Sequence, residues 1–174
     1  MKGVPGVVLL IVAMAAYVGA GAAQAGMSHG TDEAKVKLSA VPNVKTTAEG
    51  EADFTLSKDG KTLHYILHVK DLENTTMGHI HEAGPGGAPG AVIVWLYPTN
   101  GTAPSLKEGK TTGILAEGDI VAGKLGGPMK GGTVKDLFGK LTSGKAGVAV
   151  HTKANPGGEL WGLHKGEEPK KKMM

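Results

Sequence analysis

Apolar side chains that alternate with polar ones, in short runs broken by turn residues, restrict this chain more than any other feature. Val36, Leu38 and Ala40 alternate on a first strand that ends near Pro42-Asn43, and Ala52, Phe54 and Leu56 alternate on a second. Leu63, Tyr65, Leu67 and Val69 form the buried face of a third, whose other face carries His64, Ile66, His68 and Lys70. A period of two belongs to a strand buried on one side, because successive side chains leave a pleated backbone in opposite directions. Between the second and third runs, Lys58-Asp59-Gly60-Lys61 reads as a hairpin turn, since Asp-Gly tolerates the positive φ angles such turns need.

The same reading continues downstream. Gly78–Glu82 reads as a separate short strand, followed by the glycine- and proline-rich crossover Ala83–Gly90. Ala91–Tyr97 is a continuous apolar run, expected as a central strand buried on both faces. Thr111–Ala116, Asp119–Ala122, Gly147–His151 and Glu159–His164 read as further strands. Val134, Leu137, Phe138 and Leu141 have helical spacing and predict a turn or two of helix across one end of the fold. With 29 glycines, few aromatics and no internal repeat, the pattern is that of an all-β sandwich or barrel with one short helical crossover.

The length of 174 residues suits one domain. Lys2, the apolar run Val4–Ala23 and the small-x-small site Ala23-Gln24-Ala25 predict a secretory signal over residues 1–25. Left uncleaved, that run is long enough to anchor the chain in a membrane. Residues 26–34 read as a flexible leader, 35–165 as the domain, and 166–174 as a disordered lysine-rich tail. An extracytoplasmic location follows, periplasmic, secreted or at the cell surface. There is no cysteine, so disulfides and thiol chemistry are excluded, and stability must come from the core or from a metal. Cleavage would remove Lys2 from 19 basic residues and leave 18 against 16 acidic ones, a charge of +2. That is too slight and too evenly spread to argue for nucleic acid, and with no arginine the chain lacks the forked donors that read phosphate or guanine.

Histidine carries the chemical signal. His79 and His81 stand at i and i+2, so on a strand they share a face about 7 Å apart, close enough for both imidazoles to reach one ion. His151 ends the run Val148-Ala149-Val150 and supplies a third candidate ligand. The competing reading has these histidines hydrogen-bonded in place, pinning the glycine-rich loop. His64 and His68 lie about 13 Å apart on one face, too far to chelate as a pair, and are expected at the surface. His164 is a candidate to approach the three from the last strand. His29 would stand near a new amino terminus. Glu82 and Glu159 read as loop or surface residues first and as candidate metal partners second. Trp95, Tyr97 and Trp161 read as core aromatics. No nucleophile–base pair, phosphate loop or paired catalytic carboxylates can be defended.

Taken together, Leu63-His64-Tyr65, Asp71-Leu72, Gly78–Gly84, Gly90–Val94, Val148–Thr152 and Asn155–Glu159 resemble the CHRD domain over residues 35–164. The resemblance implies an extracytoplasmic Greek-key or immunoglobulin-like β-sandwich. Trp161 departs from the arginine usual in that family. More faintly, Gly78–Gly84 and Val150–Ala154 are similar to the copper-binding segments of copper/zinc superoxide dismutases. That similarity implies a superoxide-dismutase-like sandwich and matches His79, His81 and His151 to three copper ligands. Residues 83–150 contain no histidine to bridge to zinc, and neither the disulfide nor the guiding arginine of those enzymes is possible here. A zinc-bridged dismutase is therefore excluded. What survives is a three-histidine site for copper, with zinc as the alternative, whose affinity should fall as pH drops through about 6.5. The other reading is a non-enzymatic surface or matrix module that binds proteins or glycans.

Overall fold

A computed structural model describes residues 32–99 and 101–166; the expected signal segment, His29 and residues 167–174 of the expected tail lie outside them. Among the described residues are seven strands and one α-helix, with three single turns of 3-10 helix between them: β1 (Asp32–Ala40), β2 (Glu49–Leu56), β3 (Thr62–Ala83), β4 (Pro89–Tyr97), β5 (Lys107–Val121), α1 (Val134–Thr142), β6 (Ala146–Thr152) and β7 (Leu160–Leu163). Neighbouring strands are antiparallel in the order β2-β1-β7-β6-β3-β4, with β5 also on β3. Because β2 pairs with β3 as well, the path β2-β1-β7-β6-β3 returns on itself, and the sheet closes into a barrel-like sandwich.

One strand does most of the joining. Leu63 to Lys70 pair with β2 on one side, and Met77 to Glu82 pair with β6. The expectation of two separate strands over this stretch is corrected: β3 runs unbroken through 22 residues. Between its halves Asp71 and Asn74 adopt positive φ (54° and 50°), and the pairing with β5 slips there. Aspartate and asparagine enter this region at least cost among residues with a side chain, so they let the strand bulge and change partners. Lys107–Val121 likewise forms one strand where two were expected.

The alternation works as the sequence suggests. Phe54, Leu63, Tyr65, Leu67, Ile80, Ile93, Leu96, Val148, Val150 and Leu160 fill the core, each no more than 1% exposed. Tyr65 satisfies its hydroxyl by donating to the Leu96 carbonyl at 2.7 Å. On α1, Val134, Leu137 and Leu141 are buried, and the Thr133 side chain caps the amino end by accepting from the Asp136 amide at 3.1 Å. The run Ala91–Tyr97 is not a central strand. β4 ends the sheet order and pairs only with β3. Its second edge is met instead by a short turn, where the Gly126 amide donates to the Ile93 carbonyl at 2.8 Å. A covered edge can be as apolar as a central strand, which is why the run misleads.

Candidate metal centre

The second half of β3 lies between β4 and β6. Gly78 pairs with Val150, His79 with Ala149, Ile80 with Val148 and His81 with Gly147. Ile80, Val148 and Val150 point into the core, so His79 and His81 stand on the opposite face. His151 reaches the same face from β6. The three rings gather there, with centroids 5.4 Å (His79–His81), 5.0 Å (His79–His151) and 5.8 Å (His81–His151) apart. One nitrogen from each lies within 4.8 Å of the other two, and the residues are only 3%, 6% and 7% exposed. Among the described residues no cysteine or carboxylate joins this group.

The hydrogen bonds fix which nitrogens face inward. His81 Nδ1 donates to the Gly90 carbonyl at 2.9 Å, and His151 Nδ1 donates to the Pro156 carbonyl at 2.9 Å. A carbonyl only accepts, so both Nδ1 atoms carry protons and both Nε2 atoms keep a bare lone pair. His79 Nδ1 lies 3.2 Å from His151 Nε2 and donates to it. Nε2 of His79 and of His81 are buried without a partner. Orphaned buried acceptors are costly and uncommon, so two in one cluster point to something the site is built to receive. Two nitrogens bound tetrahedrally at 2.0–2.1 Å stand about 3.4 Å apart, so three imidazoles with a nitrogen each inside 4.8 Å of the others need only small ring movements to hold one ion.

Burial lowers the affinity of all three rings for protons. His79 is pushed down to about 3 by burial first, then by the neighbouring His151 and His81. His81 and His151 are also lowered by burial, against the opposing pull of their carbonyl partners. The cluster is therefore neutral at ordinary pH, the form in which imidazole binds metals. This revises the expected pH response, because proton competition begins below the ordinary histidine range.

The loops explain the precision of the arrangement. Gly90 lies where a β-carbon would sit 2.8 Å from the Glu82 carbonyl, so glycine alone lets the 84–90 loop approach His81. On the other side, Glu159 accepts from the hydroxyls of Thr46 (2.7 Å) and Thr152 (2.6 Å) and from the Asn155 amide (2.9 Å). Burial pushes the Glu159 carboxyl up, but these hydrogen bonds outweigh it and hold the group below the usual glutamate range. Glu159 thus clamps the loop that presents the Pro156 carbonyl, and its carboxylate is not part of the histidine group.

Several sequence expectations change here. His164 does not approach the cluster; its Nδ1 donates to the Lys35 carbonyl at 2.9 Å. Glu82 is a surface residue paired with Lys140 at 2.7 Å. His64 is half exposed and pairs with Asp119 at 2.9 Å. Tyr97 packs against the core, but Trp95 and Trp161 border the histidines instead of filling the interior. The Trp95 ring meets His79 edge to face at 4.2 Å between centroids, and the Trp161 ring meets His81 at 6.1 Å. Trp161 lies over Gly147, where a β-carbon would be 2.7 Å from the indole, and its Nε1 donates to the Gly87 carbonyl at 2.8 Å. Trp161 therefore ties the glycine-rich loop down beside His81.

The carbonyls of Gly90 and Pro156 and the hydroxyls around Glu159 could not be assigned roles from sequence. Their only signal is indirect, in the turn-forming Gly84–Gly90 and Asn155–Gly158 segments.

No curated protein and no solved structure matches the chain, so the likeness to superoxide dismutases rests on the two short segments alone. The family comparison is decisive where it applies: the CHRD domain model matches residues 32–163, from the start of β1 to the end of β7. With the match spanning every strand of the barrel, the chain belongs to the CHRD domain family.

Proposed function

We infer that this CHRD domain binds a transition-metal ion through His79, His81 and His151, copper in preference to zinc, outside the cytoplasm. The observation that carries the reading is the split role of each ring. The Nδ1 atoms of His81 and His151 are spent on backbone carbonyls, while Nε2 of His79 and of His81 are buried without a partner in a cluster whose three rings each bring a nitrogen within 4.8 Å of the others. Histidine ligands commonly donate their second N–H to a carbonyl, which fixes tautomer and ring angle, so these bonds support a ligand role. Three neutral nitrogens leave a coordination position open, and at nitrogen donors divalent affinity rises from zinc to copper. Export rests on the apolar leader and its Ala-Gln-Ala site. The role that follows is metal binding, buffering or redox protection, without a defined catalytic base or nucleophile.

The surface-module reading has one observation in its favour: two of the three histidines do bond to loop carbonyls and pin them. It leaves the unpartnered inner nitrogens unexplained. Metal analysis of protein purified from its native compartment tests the proposal. Near-stoichiometric copper supports it; protein that is metal-free and takes up neither copper nor zinc on exposure contradicts it.

A further inference from the structure

Strand register places one more potential donor beside the three imidazoles. Met77 is the direct cross-strand partner of His151, and from Met77 through Glu82 the pairing of β3 with β6 is unbroken. Cross-strand partners share a face, with β-carbons about 4.5–5.5 Å apart. Met77 therefore stands on the histidine side of β3, in line with His79 and His81, and it is half-buried. Its thioether hangs on an unbranched, adaptable chain.

The surroundings favour an ion of low charge. The site is buried, its three nitrogens are neutral, and among the described residues no carboxylate joins them to offset a cation. Glu82 is paired with Lys140, and Glu159 is held by Thr46, Thr152 and Asn155. The cost of desolvating an ion grows with the square of its charge, so a divalent ion loses more here than a monovalent one. Two indoles border the cluster and add polarisable, apolar surface. Thioether sulfur is a soft donor without charge, and copper(I) is the softest of the ions weighed for this site.

We propose that Met77 is a fourth donor at this site and that the ion the site retains best is copper(I). This rests on the three-histidine reading and adds to it an oxidation state and a ligand. No electron transfer is required: the copper(I) ion is the ligand itself, and the thioether donates a lone pair without losing a proton.

The test uses the whole mature chain, kept free of oxygen, with a chromophoric copper(I) chelator as competitor. Copper(II) and zinc(II) are titrated separately by calorimetry. Met77→Leu, which keeps the side-chain volume, should weaken copper(I) binding about tenfold or more while changing copper(II) and zinc(II) affinity little. X-ray absorption of the wild-type copper(I) protein gives a readout that needs no variant. A sulfur neighbour bonded to copper must be methionine, because the chain has no cysteine. A shell of nitrogen and oxygen only, or unchanged copper(I) affinity in Met77→Leu, overturns the proposal and leaves the three-histidine site standing. If the wild-type chain binds neither copper(I) nor copper(II), both readings fall together.

Discussion

Two backbone carbonyls decide what His81 and His151 can do. With their Nδ1 protons held toward Gly90 and Pro156, these rings keep their lone pairs on Nε2. The same burial that keeps them neutral has a consequence for stability. In an unfolded chain each histidine titrates near 6.5, whereas in the fold His79 is pushed down to about 3 and the other two are lowered in the same direction. Below pH 6.5 the unfolded chain therefore binds protons that the folded chain refuses. The stability these groups contribute is whole above that pH and is lost as pH falls toward the folded values, at up to about 1.4 kcal/mol per pH unit for each ring. Metal-free protein should show its denaturation midpoint fall steeply between about pH 6.5 and 4. Replacing all three histidines by glutamine should flatten that slope, and an unchanged slope would mean the rings are not buried as neutral groups. Copper affinity, in turn, should hold through pH 6.5 and decline only at lower pH, because the rings that must stay neutral already are.

At the scale of elements, the site is the second half of one long strand between two anchored loops. The loop after β6 is held by a buried carboxylate that touches no histidine, so its influence on the site is positional. Glu159→Ala would strand the hydroxyls of Thr46 and Thr152 and the Asn155 amide. It should cost about 2 kcal/mol of stability, read from urea unfolding. It should also weaken copper binding about tenfold as the Pro156 carbonyl loosens its hold on His151. A variant that loses stability but keeps full copper affinity would show that the loop does not set the ring. The strands were legible in sequence because alternation and Asp-Gly turns are local signals: Leu63, Tyr65, Leu67 and Val69 are buried as read. The continuity of β3 was not legible. Asp71 and Asn74 look like turn residues, and only pairing with β5 and β6 keeps the chain extended through them. The histidine trio was visible as spacing plus resemblance. Its outer partners were not, since a carbonyl leaves no mark on the side-chain sequence.

Across the whole molecule, the ring of strands brings together residues from β3, β4, β6 and β7 that lie far apart in the chain. Both tryptophans of the chain border the histidines, although aromatic residues this scarce read from sequence as core. The family match accounts for the barrel, and the geometry of the cluster supplies the functional reading that the family does not. The central claim is that these three imidazoles, and no others, hold a metal. Titration calorimetry with copper(II), paired with melting curves with and without the ion and with a chelator control, tests it most directly. A ligand that binds only the fold raises the melting temperature by mass action. Wild type, His64→Ala and His68→Ala should all bind copper and gain the same upward shift. His79→Ala, His81→Ala and His151→Ala should each lose most of both. If those three variants bind copper as tightly as the His64 and His68 controls, the histidines are structural pins and the metal-binding account is wrong.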